Sequence, residues 1–527
     1  MISKELAKAR KLEQEQESFT TEEDRPVYHF TARTGWLNDP NGLSFYNGTY
    51  HMFYQYNPYS TFWGPMHWGH AVSRDLIAWK YLPAAMAPDT EYDKSGCFSG
   101  SAVTLDDGRH MLIYTSCGDS SGDPTGKGRW IQTQSLAIIG RDGEYIKYEG
   151  NPVISEHDLP EDADPYEFRD PFIMKAPDGS YRVLAASGRA AQAAGEEPEG
   201  GTYLIMYRSS DGLHWGDGKV FFEDERRIGV MWECPNFIPL DKKYVLIASP
   251  MDMKAEEEKA VGSIRFPQGN NVCFITGDFD WKSETFTPDT DDAGRYRYEP
   301  VDSGLDFYAP QILRTIDGRQ VMIGWMQDPQ YGNIEANGRR SSRIFGQMTV
   351  PRELSLRDGK LIQQPVIELE EYRKDKTEWF SVALAPNWIR LPGLRGRSMD
   401  ITADITTDPS CSGAGIRFAV DETHYTELWY DSVRSVITID RSHSGQDSSI
   451  PAKRTVRVRD RRGPLTRKGR ISLRILIDRW SAEIFVNGGE QVMSVTYYTD
   501  LSAENIMFRA EGDAEMNLTA YRIAKDR

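Results

Sequence analysis

The chain has 527 residues, enough for more than one domain and a large core. A net charge of −17 argues against a nucleic-acid or anionic-membrane partner, which calls for basic patches. With 13 Trp, 26 Tyr and 21 Phe, the composition favours β-strands and also suits a site that stacks on sugar rings.

The first 25 residues lack the apolar run of a signal peptide and read as a short polar helical extension. No segment approaches the apolar length of a membrane span. Five widely spaced cysteines (Cys97, Cys117, Cys234, Cys273 and Cys411), with no C-x-x-C pair, fit reduced thiols better than a disulfide framework or a zinc site. A cytoplasmic protein is the expectation.

From 26 to 360 one pattern returns five times: an entry motif, an apolar strand, a tight turn and a second apolar strand. The first copy enters at Trp36-Leu37-Asn38-Asp39-Pro40-Asn41-Gly42 and turns at Asn47-Gly48. The second enters at Phe98-Ser99-Gly100-Ser101 and turns at Asp107-Gly108. The third starts Arg169-Asp170-Pro171 and turns at Asp178-Gly179. The fourth starts Glu233-Cys234-Pro235 and turns near Asp241, and the fifth starts Tyr308-Ala309-Pro310 and turns at Asp317-Gly318. Asn-Gly and Asp-Gly between apolar runs are strong hairpin signals. Copies about 60–75 residues apart have the scale of propeller blades with generous loops. The predicted fold is therefore all-β, a five-bladed β-propeller. The first strand of each blade lines the axis of such a fold, so Asp39, Asp170 and Glu233 should face one space.

Residues 361–375 read as a linker, and 376–527 as a C-terminal β-sandwich of short alternating strands such as Ser398 to Ile405. The Arg-rich run from Ile450 to Lys468 reads as a solvated strand and loop.

Like charges in one pocket cannot all ionise easily, so at least one carboxyl is pushed toward its protonated form. That yields a proton donor and an anionic partner from one residue type, as glycoside hydrolysis requires. Arg169 should favour the ionised form of Asp170 if their side chains approach. Glu233, next to Trp232, Cys234 and Pro235, is the candidate acid, and Asp39 the candidate nucleophile.

The motifs around Asp39, Ser99, Asp170 and Glu233, in this order, resemble glycoside hydrolase family 32, the invertase, fructanase and sucrose-6-phosphate hydrolase group. Leu476-Ile477-Asp478-Arg479 and Glu483-Ile484-Phe485-Val486-Asn487 resemble the family's sandwich. The resemblance implies that Asp39 attacks a terminal β-fructofuranosyl unit and that Glu233 protonates the leaving oxygen and then activates water. Asp170 would stabilise the transition state. It further implies that Asn38, Gln55, Trp63, Phe98, Ser99, Arg169, Tyr308 and Trp325 bind the sugar, with no metal or cofactor.

His67 and His70 lack an acidic or Cys partner at ligand spacing, and Asp289, Asp291 and Asp292 lack an EF-hand pattern. Neither group is read as a metal site. The expected partner is a small sugar, and a homo-oligomer is open. Sucrose or short fructo-oligosaccharides lead, with sucrose-6-phosphate close behind. Arg189, Arg265, Arg340 and Arg343 are the loop cations that could meet a phosphate. A fructosyltransferase and a non-catalytic fructan-binding protein are the further alternatives. The insertion from Ala190 to Glu197 reads as a mobile loop.

Overall fold

The computed structural model describes residues 2–120, 128–190, 200–329, 343–445, 450–459 and 469–525. Arg340, most of the insertion at 190–197 and much of the Arg-rich run lie outside the described residues.

Among the described residues, five largely antiparallel sheets of four or five strands follow one another between Gly35 and Pro365, beside a two-stranded hairpin within Glu256 to Phe266. Their first strands are Gly35–Tyr46, Gly96–Thr104, Ala163–Lys175, Trp232–Leu240 and Tyr308–Arg314. Each first strand packs beside the next, and the fifth packs beside the first, so the sheets close a ring. Ile344–Phe345, between two strands of the fifth sheet, crosses over to pair in parallel with Gly35 and Trp36.

Neighbouring first strands do not share a ladder, so their inward backbone groups need other partners. Buried side chains supply them. Asn41 accepts from Gly100 N at 3.3 Å, and Ser101 donates to Pro171 O at 2.6 Å. Asn236 donates to Pro310 O at 2.8 Å, and Gln311 accepts from Leu43 N at 3.1 Å. Polar residues thus stand in otherwise apolar strands because they stitch sheet to sheet.

All five first strands also break register against their second strands at the entry motif. A bulge bends a strand and re-aims its side chains. Asp170 sits at φ 62° and Cys234 at φ 48°, backbone that L-residues rarely adopt. Strain of this kind persists only where surrounding structure holds it.

The linker expectation needs correcting. Lys360–Pro365 is the outer strand of the fifth sheet, paired with Arg352–Arg357. Only the short 3-10 turn Ile367–Tyr372 separates it from the next strand, Arg373–Leu384. Leu361, Ile362 and Gln363 are buried one after another in that sheet, so no alternation marks them as a strand. The C-terminal part stacks a six-stranded sheet on a five-stranded one, with Ile401, Ile475, Ile484, Phe418 and Phe508 in the shared core.

The helix Lys4–Glu17 is capped by Ser3 and buries Leu6, Ala9 and Glu13 along one face. Arg10 donates to Ala84 O at 2.9 Å, and Glu13 accepts from Ala84 N at 3.1 Å. The helix therefore satisfies the open edge of the first sheet's outer strand, Trp79–Met86. No helix among the described residues is long and apolar enough to cross a membrane. All five cysteines are buried and unpaired.

Candidate active site

The bulged entries of the first four sheets open onto one cavity of about 410 Å³. Asn38, Asp39, Gln55, Trp63, Phe98, Ser99, Arg169, Asp170 and Glu233 all line it. A larger hollow of about 990 Å³ lies between the ring and the sandwich, lined by Arg265 and Asp289 among others. It contains none of the three acids.

Asp39 is held from both sides. Asn38 Nδ2 donates to its Oδ1 at 2.9 Å and Ser99 Oγ to its Oδ2 at 2.5 Å. Asn38 is itself fixed by Trp36 Nε1, which donates to its amide oxygen at 2.7 Å. Burial pushes the Asp39 carboxyl up to about 6; Ser99 and Asn38 pull it down, and the charge of Glu233 pushes it further up.

Asp170 Oδ2 accepts from Cys234 N at 2.8 Å. Burial, then the charge of Glu233, drives this carboxyl up to about 7 against the pull of Arg169. Arg169 draws Asp170 toward its ionised form, as expected, but its hydrogen bonds to carboxylates go to other groups. It donates from Nε to Glu233 Oε1 at 2.9 Å and from Nη1 to Glu167 Oε2 at 2.5 Å. The other Glu233 oxygen accepts from Tyr308 OH at 2.7 Å. One thiol, Cys234 Sγ, lies 3.7 Å from Asp39 Oδ2 and 3.5 Å from Asp170 Oδ2, which ties the two carboxyls into one cluster.

Trp63, 42% exposed, stands at the rim. It stacks with Trp130 at 6.3 Å and meets Phe98 edge-on at 5.9 Å. Gln55 is buried and donates to Cys97 O at 3.0 Å. Two expected sugar-binding residues are not among those that line the cavity: Tyr308 donates to Glu233, which does line it, and Trp325 packs edge-on against Trp36 at 5.7 Å. Trp325 thus supports the turn that carries Asn38 and Asp39.

The residues set aside as metal ligands have structural partners. His67 Nδ1 lies 2.8 Å from Pro65 O, and His70 Nε2 lies 3.0 Å from His51 Nδ1. Asp289 pairs with Lys243 at 2.9 Å and Asp291 with Arg295 at 2.9 Å. Of the loop arginines that were candidates for meeting a phosphate, Arg189 pairs with Glu223 and Arg265 with Glu256. Arg343 donates to Gln16 at 2.5 Å, and none of these three lines the cavity.

Residues 29–365 match the Glycosyl hydrolases family 32 N-terminal domain, and residues 368–523 match Glycosyl hydrolases family 32 C terminal. The chain belongs to glycosyl hydrolase family 32. It is 32% identical to the levanase of Bacillus subtilis (strain 168), across 96% of this chain and 72% of the levanase. It is 34% identical to a sucrose-6-phosphate hydrolase of Zymomonas mobilis, across 89% of this chain and 85% of that protein. Among solved structures, the family 32 beta-fructofuranosidase of Bombyx mori superposes with a TM-score of 0.78 at 27% identity, over 98% of both chains. A mutant of that enzyme in complex with sucrose superposes at 0.79, with 27% identity over 99% of both chains.

As a family 32 member the protein is a glycoside hydrolase. Its cavity also holds residues that sequence reasoning missed: Gly128, Arg129, Trp130, Gln132, Tyr166 and Glu167. A signal existed for Glu167, two residues before Arg169 and so on the same strand face. Gln132 and Gln134 likewise alternate along one face of a strand, where they donate to Tyr166 O and Phe168 O at 2.8 and 3.1 Å.

Proposed function

We propose that this family 32 enzyme is a retaining β-fructofuranosidase. It hydrolyses terminal β-D-fructofuranosyl linkages of sucrose and short fructo-oligosaccharides by double displacement. The observation that carries the reading is the meeting of Asp39, Asp170 and Glu233, from three different sheets, in one cavity of sugar size. The five sheets are read as the five blades of a β-propeller, and the two stacked sheets after it as a β-sandwich.

Asp39 is the nucleophile. Its two hydrogen bonds aim the carboxylate, and it acts as an anion above about pH 6, where it ionises. Glu233 is the acid that protonates the leaving oxygen and then the base that activates water. Arg169 and Tyr308 fix its two oxygens. The Tyr308 hydroxyl also lies 3.1 Å from Ser249 O, so its hydrogen can turn to that carbonyl while Glu233 carries the proton. Asp170, as the carboxylate, stabilises the developing oxocarbenium charge and accepts hydrogen bonds from the sugar's hydroxyls. Trp63, Phe98 and Trp130 offer flat apolar faces to the sugar.

Release of fructose from sucrose, sucrose-6-phosphate, 1-kestose, inulin and levan tests the substrate, and NMR of the first product tests the stereochemistry. The reading expects sucrose and 1-kestose to be cleaved fastest and β-fructofuranose to form first. An initial α-product would contradict the double displacement. Product analysis at high sucrose separates hydrolysis from fructosyl transfer. The identity to a Zymomonas sucrose-6-phosphate hydrolase keeps that substrate as the second reading.

A further inference from the structure

Glu167 is not part of any motif that led to the site, yet it stands where the cavity's charges meet. Its Oε2 accepts from Arg169 Nη1 at 2.5 Å, while its Oε1 lies 3.9 Å from Arg129 Nη1. Arg129 is also bound to Asp164 Oδ2 at 2.7 Å and lies over the Tyr166 ring at 5.0 Å. Arg169 is committed on every nitrogen. Nε holds Glu233, Nη1 reaches Gln132 Oε1 at 3.3 Å as well as Glu167, and Nη2 meets Met251 Sδ at 3.4 Å.

The charge balance of the wall follows. Among the described lining residues, four carboxyls (Asp39, Glu167, Asp170 and Glu233) face two guanidinium groups, and both of those are already engaged by carboxylates. A phosphate monoester carries roughly −1.5 to −2 charges and is recognised by arginine forks that are open to it. Here it would have to displace Glu167 from Arg169 and meet cations whose charge carboxylates already balance. A neutral hexose meets no such barrier, because its hydroxyls can bond carboxylates and guanidinium groups as they stand.

We propose that Glu167 is a selectivity and positioning residue. It closes the acid side of the cavity to phosphorylated leaving groups and holds Arg169 in the orientation that fixes Glu233. This rests on the β-fructofuranosidase reading, since it assigns the leaving sugar to the side of the cavity where Glu233 stands. The positioning arm follows from the planar fork of arginine: with Nη1 anchored on Glu167, Nε is aimed at Glu233 without further ordering.

The test compares kcat/KM for sucrose and sucrose-6-phosphate in the full-length wild type, Glu167→Gln and Glu167→Asp. Wild type should prefer sucrose. Glu167→Gln keeps the shape and removes the charge, so the ratio for sucrose-6-phosphate over sucrose should rise about tenfold or more. Its kcat on sucrose should fall more than its KM rises, while Glu167→Asp, which restores the charge, should keep the wild-type ratio. A ratio unchanged within about twofold in Glu167→Gln overturns the proposal, since a merely structural ion pair would slow both substrates alike. Inorganic phosphate gives a second measurement that depends on no variant's folding. It should leave sucrose hydrolysis by the wild type unaffected at millimolar concentration, and strong competitive inhibition would overturn the proposal. If the wild type prefers sucrose but Glu167→Gln leaves the ratio unchanged, the assignment of Glu167 fails and the β-fructofuranosidase reading stands; if the wild type prefers the phosphorylated sugar, both give way to the sucrose-6-phosphate reading. If it cleaves neither, the β-fructofuranosidase reading fails first.

Discussion

Two buried clusters of charge in this protein use the same residue type to opposite ends. Where the ring meets the sandwich, His29 lies 2.9 Å from Asp478 and 2.9 Å from Glu483, and Arg352 bridges Glu483 and Asp302. The backbone N–H groups of Val27, Tyr28 and His29 add bonds to Asp478 at 2.7, 3.0 and 3.2 Å. Burial disfavours the charge on Asp478 and Glu483, but their partners outweigh it and hold both carboxyls below the usual range. In the cavity, burial wins instead, and Asp39 and Asp170 are held above it. The difference lies in the number of partners, because one arginine, Arg169, serves the cavity's acids and is shared with Glu167. Where partners outweigh burial, as at Asp478 and Glu483, a carboxyl stays ionised; where they do not, as at Asp39 and Asp170, it holds a proton nearer neutrality.

The largest effect should come from breaking the cavity's chemistry without its charge burden. Asp39→Asn should lower kcat by about 10⁴-fold or more while the chain still folds, measured as fructose release beside circular dichroism. Near-normal turnover would remove Asp39 from its role. The next largest should come from the interface. Arg352→Met leaves Asp302 buried without its cation and Glu483 with the His29 cation alone, and should cost about 3–5 kcal/mol in denaturant unfolding. A loss under about 1 kcal/mol would mean that the cluster is not charge-balanced in the way described.

These sites differ in how far the sequence reveals them. Asp39, Asp170 and Glu233 each sit in a local motif with proline, and the Asn-Gly and Asp-Gly turns mark out the hairpins around them. Their convergence was legible because repeated hairpins imply a common axis. Tyr308 and Trp325 meet Glu233 and Trp36 across two different sheets, contacts that no local pattern encodes. The interface cluster was invisible for another reason. His29 and Asp478 are 449 positions apart, and either alone reads as an ordinary polar residue. Leu361 to Pro365 was misread because a short outer strand beside a proline looks like a crossover.

Smaller effects sharpen the contrast through pH. The Asp170 carboxyl stands near 7 in the folded chain against an ordinary 3.8, so the folded state keeps a proton that the unfolded state releases. Stability is therefore lost as pH rises from about 4 to 7. Asp170→Asn should remove that loss, gaining about 1–3 kcal/mol at pH 8 and little at pH 4, while catalysis collapses. His29 shows the mirror case. Burial alone would lower its affinity for a proton, but Asp478 and Glu483 outweigh burial and raise it from 6.5 to about 9. Its contribution is complete below about pH 6.5 and is lost as pH rises through about 9. The wild type should therefore unfold more readily at pH 9.5 than at pH 7, by about 1–2 kcal/mol more than His29→Gln does over the same interval. An equal pH dependence in the two proteins would take His29 out of the balance.

The central claim is that Asp39 bonds covalently to the sugar while Glu233 manages the proton. Glu233→Gln treated with an aryl β-fructofuranoside tests it directly, because an activated leaving group needs little acid help in the first step while the second step still needs the base. Intact-mass and peptide analysis should find one fructosyl unit, carried on Asp39. An adduct on Asp170, or rapid turnover to an inverted product with no adduct, would contradict the account.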